Sequence, residues 1–353
     1  MSRWGYFLRR LVLSIPVIVF GTTIVFMLVR LGPIDPAAAI IGMGNPQGLE
    51  RIREQLGLTQ PLWQQYFDFM VNMFTFDLGQ SWVIQPGQGA YDLIVSYAPR
   101  TIWLGFWSVI IALVVGIPLG FYAGLNPNTG GDYFASFGGI VWRAMPNFWL
   151  AIILVSVLAQ SQEIFFGFNW SQWLVSTNIL TPPNLSFLST PLEAIANPTD
   201  WWISTGANGS FLAALKQIAP AALVLGSASM GNEMRIGRTA VLETINSEYV
   251  ETARAKGVSG RSLIWKHVFR NALIPLVPII TGEAFLLIGG SVLVETVFAI
   301  NGIGYLFYQA AINADLPLLG ALMFIFILLT VATNILQDLL YTLIDPRVGY
   351  DSE

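Results

Sequence analysis

EYVETARAKGVSGRSLIWKHVFRNALIP, residues 248–275, is the longest charge-dense polar segment in a chain otherwise made of apolar runs. It carries Glu248, Glu251, Arg254, Lys256, Arg261, Lys266 and Arg270. Its spacing predicts two short helices and not a disordered linker. Ser247 is placed to accept from the first free backbone amides, and Glu248 sets negative charge in the first turn, where the helix dipole favours it. Gly257 supplies the left-handed residue that commonly closes a helix, and Ser259 is placed to cap the next one. The second helix carries Leu263, Ile264 and Phe269 and runs to Pro275, which should push Ile274 out of helical geometry. A polar helix–turn–helix between apolar runs must lie on a bilayer or dock into another protein.

Working outward, the 353 residues are 54% hydrophobic and only 11% charged, against about 25% charged in an ordinary soluble chain. Twelve Trp and 23 Phe strengthen the membrane reading, because aromatic side chains gather at bilayer interfaces. A net charge of −4 gives no electrostatic case for nucleic acid. The absence of cysteine excludes disulfides and thiolate metal sites, and the single histidine, His267, leaves no room for a histidine metal cluster or a Ser-His-Asp triad.

The chain predicts an all-α polytopic membrane protein with six transmembrane helices. Arg3, Arg9 and Arg10 precede an apolar run over residues 11–31, too long for a signal-peptide core and long enough to span a bilayer. Residues 32–100 are not membrane-like. Helices expected over 49–56 and 61–76 and a loop over 80–89 make this segment a helical extracytoplasmic cap, with Trp63, Tyr66, Phe67 and Met70 as its packed core. Further spans are expected over 101–125, 137–159, 212–231, 276–298 and 316–339, with Lys216 and Pro220 interrupting the fourth. The organisation is thus 1–31, N-terminus and first span; 32–100, cap; 101–340, core with an inner loop at 232–275; and 341–353, tail. Putting both termini in the cytoplasm places Arg3, Arg9, Arg10, Arg235, Arg238, all five basic residues of 248–275 and Arg347 inside, and only Arg51, Arg53 and Arg100 outside. That asymmetry follows the positive-inside rule, so the 248–275 stretch is cytoplasmic.

No lysine stands in a phosphate-loop context, since Lys216, Lys256 and Lys266 are followed by Gln, Gly and His. The chain therefore does not itself bind ATP in that manner, and carboxylate pairs at catalytic spacing are missing. It is not read as an enzyme.

Glu251-Thr252-Ala253-Arg254-Ala255-Lys256-Gly257 resembles the EAA loop of the permease subunits of ABC importers. The wider stretch, from Glu248 to Pro275, resembles the dipeptide/oligopeptide/nickel branch. Co-linear matches run the length of the chain: Gly32 with Asp35-Pro36, Leu56-Gly57-Leu58, Gln65-Tyr66, Asp77-Leu78-Gly79-Gln80-Ser81, Pro146-Asn147-Phe148-Trp149, Glu295-Thr296-Val297-Phe298, Gly302-Ile303-Gly304 and Asp345-Pro346-Arg347. The resemblance implies a subunit that pairs with a homologous second permease and two ATPase subunits and receives di- or oligopeptides from an extracytoplasmic solute-binding protein. It implies that ATP and Mg are bound by those ATPases and that this chain holds no cofactor. It further implies that Glu248, Glu251, Thr252, Ala253, Arg254, Ala255, Lys256 and Gly257 form the ATPase-coupling element. Departures occur at Thr252, at Phe269-Arg270, at Asn301 and at Gly87-Gln88-Gly89, the last two bearing on the outer gate and the substrate.

Other readings compete at particular residues. The 248–270 stretch could rest on anionic lipid as a basic amphipathic helix, but small residues at Ala253, Ala255 and Gly257 suit close approach by a protein. Glu283, inside the fifth span, is costly unless it faces a wet path or a partner helix. With Gly289 and Gly290, which allow close helix packing, and Glu295, it marks a candidate translocation path. Glu295, Asp315 and Asp338 sit near span ends, where solvated or capping roles are expected. A secondary transporter driven by an ion gradient would need inverted repeats and several intramembrane carboxylates, which the sequence lacks. Nickel or another solute remains open as cargo.

Overall fold

The computed structural model describes residues 3–32, 36–41, 46–55, 57–175, 196–201, 210–277, 279–280, 282 and 292–344, and these are helical throughout apart from turns and one isolated bridge. The principal helices are α1 (Arg3–Leu31), α2 (Pro46–Gln55), α3 (Leu62–Phe74), α4 (Ala90–Ile111), α5 (Ile117–Leu125), α6 (Gly130–Ala144), α7 (Asn147–Ala159), α8 (Ser210–Ile245), α9 (Glu248–Ala255), α10 (Val292–Val297), α11 (Ile303–Ile312) and α12 (Leu316–Ile344). Three stretches among the described residues, Leu8–Leu31, Ala90–Leu125 and Leu316–Leu339, are long and apolar enough to cross a membrane. The contacts divide the chain into two compact units, residues 1–101 with 301–353 and residues 102–300.

In the first unit α1 packs along α12. A Cβ on Gly21 would stand 3.0 Å from the Ile327 side chain, and Arg10 pairs with Asp338 at 3.1 Å. A core of Met73, Leu93, Leu306, Leu318, Leu322 and Phe324 joins α3, α4, α11 and α12. The loop expected over 80–89 is present, closed by an antiparallel bridge between Gln80 and Gly89. Of the solvated or capping roles its place near a span end suggested, burial excludes the first for Asp315, which is fully buried. Its carboxylate accepts from Ser81 Oγ at 2.5 Å and from the amides of Trp82, Val83 and Ile84 at 3.0–3.1 Å. Three successive amides turned inward leave no cheaper partner than a carboxylate, since an unmet buried donor costs about 1–3 kcal/mol. The expectation of a cap built on Trp63, Tyr66, Phe67 and Met70 fails in part. Tyr66 packs inward against Phe26, but Trp63 and Phe67 are 65% and 62% exposed.

The second unit corrects the expected spans most. The helix that enters this unit starts at Ala90, within the first unit and before the expected position 101, because Tyr91, Asp92 and Ser96 lower the hydropathy without opposing a helix. A π turn, Ala112–Gly116, precedes Pro118. Pro118 has no amide to donate, and its ring would crowd the carbonyl of Val114, so a wider turn relieves the strain. The span expected over 137–159 is two helices, α6 and α7, meeting at 97°. Met145 is extended (φ −83°, ψ 125°) because it precedes Pro146, and the helix cannot pass through it. By contrast α8 runs unbroken from Ser210 to Ile245 through Pro220, well beyond the expected 212–231. Of the expected fifth span, 276–298, residues 278, 281 and 283–291 lie outside the described residues.

Close helix packing in this unit rests on missing side chains. Gly116, Gly120 and Gly124, one per turn, lie against the backbone of α8: a Cβ on Gly120 would stand 2.5 Å from the Met234 carbonyl, and one on Gly124 2.9 Å from that of Arg238. On α8 itself, Gly226 and Gly231 admit the carbonyls of Ser108 and Gly139 in the same way. Small residues at four-residue spacing let helices meet backbone to backbone, the device that stabilises helix pairs where no hydrophobic effect acts between them.

Candidate functional site

The 248–275 stretch folds as the two-armed helical element its spacing predicted. The first arm is α9, and the second covers residues 260–272, with a π-helical turn at Leu263–Phe269 in its middle. Gly257 joins them at φ +78°, with nothing within 4 Å of the position a Cβ would take. Its role is therefore conformational, because a side chain has room there but not the dihedral.

The capping predictions need correction. Ser247 and Ser259 hold the two N-cap positions with extended backbone, yet neither side chain caps its helix. Ser247 Oγ instead donates to the Thr244 carbonyl at 2.6 Å, tying α9 back to the end of α8. Pro275 does not expel Ile274 from helical geometry either. Ile274–Leu276 tightens into a 3₁₀ turn, where the Leu276 amide donates to Leu273 at 3.0 Å.

Each arm is pinned by a few apolar side chains. Val250 and Ala253 from α9, and Leu263, Val268 and Ala272 from the second arm, close a core with Phe121, Ala240, Val241 and Leu276. Fully burying a valine such as Val250 contributes about 1.5–3 kcal/mol. Ala253 is thus a residue of the inner face, and the small side chain expected to admit a partner serves this chain's own packing. The other signature positions, Glu248, Glu251, Thr252, Arg254, Ala255, Lys256 and Gly257, are exposed together with Tyr249. None of the seven charged side chains of the stretch forms an ion pair with a described residue. The result is a short helix with acids in its first turn and bases in its last turn and at its C-cap, its charges directed outward.

Behind the element stands an ion pair the sequence reading did not single out. Arg238 of α8 holds Asp132 of α6 by two bonds, Nε to Oδ1 at 2.5 Å and Nη2 to Oδ2 at 2.8 Å. Asp132 is 1% exposed and also accepts from the Asn128 amide and Ser136 Oγ. Arg143 and Arg235 both reach Asn232 and remain exposed. The GxxxGxxxG spacing at 116–124 was a readable signal for the α5–α8 contact; the Asp132–Arg238 pair, 106 positions apart, left none.

Of the candidate path residues, Glu283, Gly289 and Gly290 lie outside the described residues. Glu295 is described, on α10, and is fully buried and not solvated. Among the described residues no group of acids and histidine could hold a metal ion.

Residues 116–350 match the family described as binding-protein-dependent transport system inner membrane component, and residues 3–86 match its N-terminal family. The chain belongs to this family, the membrane permeases of ABC importers, and is a transport subunit that works with ATPases and a substrate-binding protein, the hydrolysis of ATP belonging to the ATPases. It is 31% identical to the dipeptide transport system permease protein DppB of Alkalihalophilus pseudofirmus, covering 98% of this chain and 99% of that one. A putative peptide transport system permease protein of Brucella suis is 35% identical over 98% of each chain. The oligopeptide transport system permease protein AppB of Bacillus subtilis is 30% identical over 98% and 99%.

Proposed function

We propose that this chain is one of two homologous permease subunits of a di- or oligopeptide importer, driven by two ATPase subunits through Glu248–Gly257. The observation that carries the proposal is the outward, unpaired polar face of α9, fixed by buried apolar pins to the helix that leads into the membrane. Such a face suits a protein partner that moves. In the proposed topology α1, the 90–125 stretch, the α6–α7 pair, α8, residues 276–298 and α12 are six spans, with both termini cytoplasmic, residues 32–100 as the outer cap, the core over 101–340 and the tail at 341–353. ATP and Mg stay with the partner subunits, and this chain uses no cofactor.

Alternating access then follows from closure of the ATPase pair, which would carry α9, and with it α8, between inward- and outward-open arrangements. Glu283, Gly289, Gly290 and Glu295 are assigned to the path. Support for peptide cargo comes from the peptide permeases it resembles, which align over nearly the whole chain. The test is reconstitution. Wild-type subunits in vesicles should take up labelled dipeptide only with ATP and binding protein, and Gly257→Phe should abolish both uptake and co-purification of the ATPases. Uptake that persists without any ATPase, driven by an ion gradient, would sink the proposal; uptake of a nickel chelate in place of peptide would revise its cargo.

A further inference from the structure

Helix α3 has two apolar faces, and the protein packs mainly against one, touching the other only at Phe74. On the inner face Tyr66 and Phe69 pack on Phe26, and Met73 is buried. Since the hydroxyl proton of Thr23 goes to the Val19 carbonyl, Tyr66 OH donates to Thr23 Oγ1 at 2.8 Å. The second face is a row of exposed side chains at helical spacing: Trp63 65%, Phe67 62%, Val71 58% and Phe74 46%. Between them a polar arc, Asp68 and Asn72, lines a cavity of about 380 Å³ shared with Arg30, Gln60 and Asp77.

The depth of this helix can be read from the two spans it touches. The 24-residue stretch Leu8–Leu31 is about 36 Å long at 1.5 Å per residue, so it overhangs a hydrocarbon layer of about 30 Å by roughly 3 Å at each end. Thr23 and Phe26, which hold Tyr66, lie about 12 and 8 Å inside the Leu31 end. Val25 and Val29 pack with Leu316, so α12 begins on the same side. Phe324, against which Phe74 and Phe76 pack edge-on at 5.9 and 6.1 Å, lies about 12 Å in from Leu316. Both rulers set α3 roughly 5–9 Å below the hydrocarbon boundary. At that level an apolar row turned away from the polar cavity faces lipid or protein.

We infer that α3 is an intramembrane helix lying in the leaflet on the Leu31 side, with Trp63, Phe67, Val71 and Phe74 in contact with lipid acyl chains and Asp68 and Asn72 facing the polar cavity. The exposed row continues the lipid-facing surface of α1 at Ile24, Met27 and Leu28. Polar groups at membrane depth are tolerated where they line a cavity, which is where Asp68 and Asn72 stand. On this reading the α3 part of the proposed outer cap dips into the leaflet as a partition between lipid and the polar cavity.

The chain contains no cysteine, so single substitutions can carry a nitroxide label without background. Full-length Phe67→Cys, Val71→Cys, Asp68→Cys and Asn72→Cys in phospholipid nanodiscs would be compared for collision with oxygen, which concentrates in lipid, and with a water-soluble nickel chelate. The ratio of oxygen to nickel collisions should be several-fold higher at 67 and 71 than at 68 and 72. Equal access of the nickel chelate to all four positions would place α3 in water and overturn the inference. Labels at 67 and 71 that are immobilised and shielded from both reagents would show a protein covering this face, and would overturn it as well. Val71→Cys removes little volume at an exposed site, so it tests the point even where Phe67→Cys disturbs folding.

Discussion

Helices α9 and α3 each pin one face to a long helix by a few apolar side chains and turn the other face outward. α9 presents Glu248, Tyr249, Glu251 and Arg254; α3 presents Trp63, Phe67, Val71 and Phe74. Charge without an intrachain partner is what a docking surface leaves free, whereas an apolar row at the depth of Thr23 and Phe324 is what a lipid-facing surface requires. The pair teaches that an exposed face is read by the medium it must meet. Exposure alone does not distinguish the two.

The comparison is broken most severely by removing the support behind α9. Arg238→Ala should lower stability by about 3–5 kcal/mol, because it leaves Asp132 charged and buried without its partner; the unfolding midpoint in detergent checks this, and an unchanged midpoint would show that the pair is not a structural anchor. Gly120→Val should cost roughly 1–3 kcal/mol through overpacking against Met234, read in the same melt, with Gly130, which has open space around it, as the control position. Val250→Ala should cost about 1–3 kcal/mol through the cavity left under α9, and transport should fall further than the melting midpoint suggests. The smallest change in stability is expected for Glu251→Ala, within about 0.5 kcal/mol as for other exposed sites. It should nevertheless weaken ATPase binding, measured by titration of the purified ATPase. If Glu251→Ala leaves that affinity intact while Val250→Ala removes it, the outward charges are not the docking contacts.

Local patterns were legible in the sequence, and distant pairings were not. The helical arms either side of Gly257 follow from charge, glycine and serine positions within a few residues of one another. The break at Pro146 was visible as a proline, but its 97° consequence depends on packing that no local pattern encodes. α8 read as a doubtful span because Lys216 and Pro220 interrupt it; glycine contacts and the Asp132 pair hold the helix against its neighbours. Asp315 was expected to be solvated or to cap, and the three amides it accepts from were not legible because they come from more than 230 positions away. The glycines at 116, 120 and 124 were readable, but only to a reader looking for backbone contact.

The junction between α8 and α9 is only two residues long, Asn246 and Ser247. Two residues supply about four soft torsions, and Ser247 already gives both its amide and its hydroxyl to Thr244, at 3.1 and 2.6 Å. Such a joint has almost no slack. The exposed helix and the long one behind it behave as a rigid crank, so a spectroscopic reporter on α9 would also record the tilt of α8.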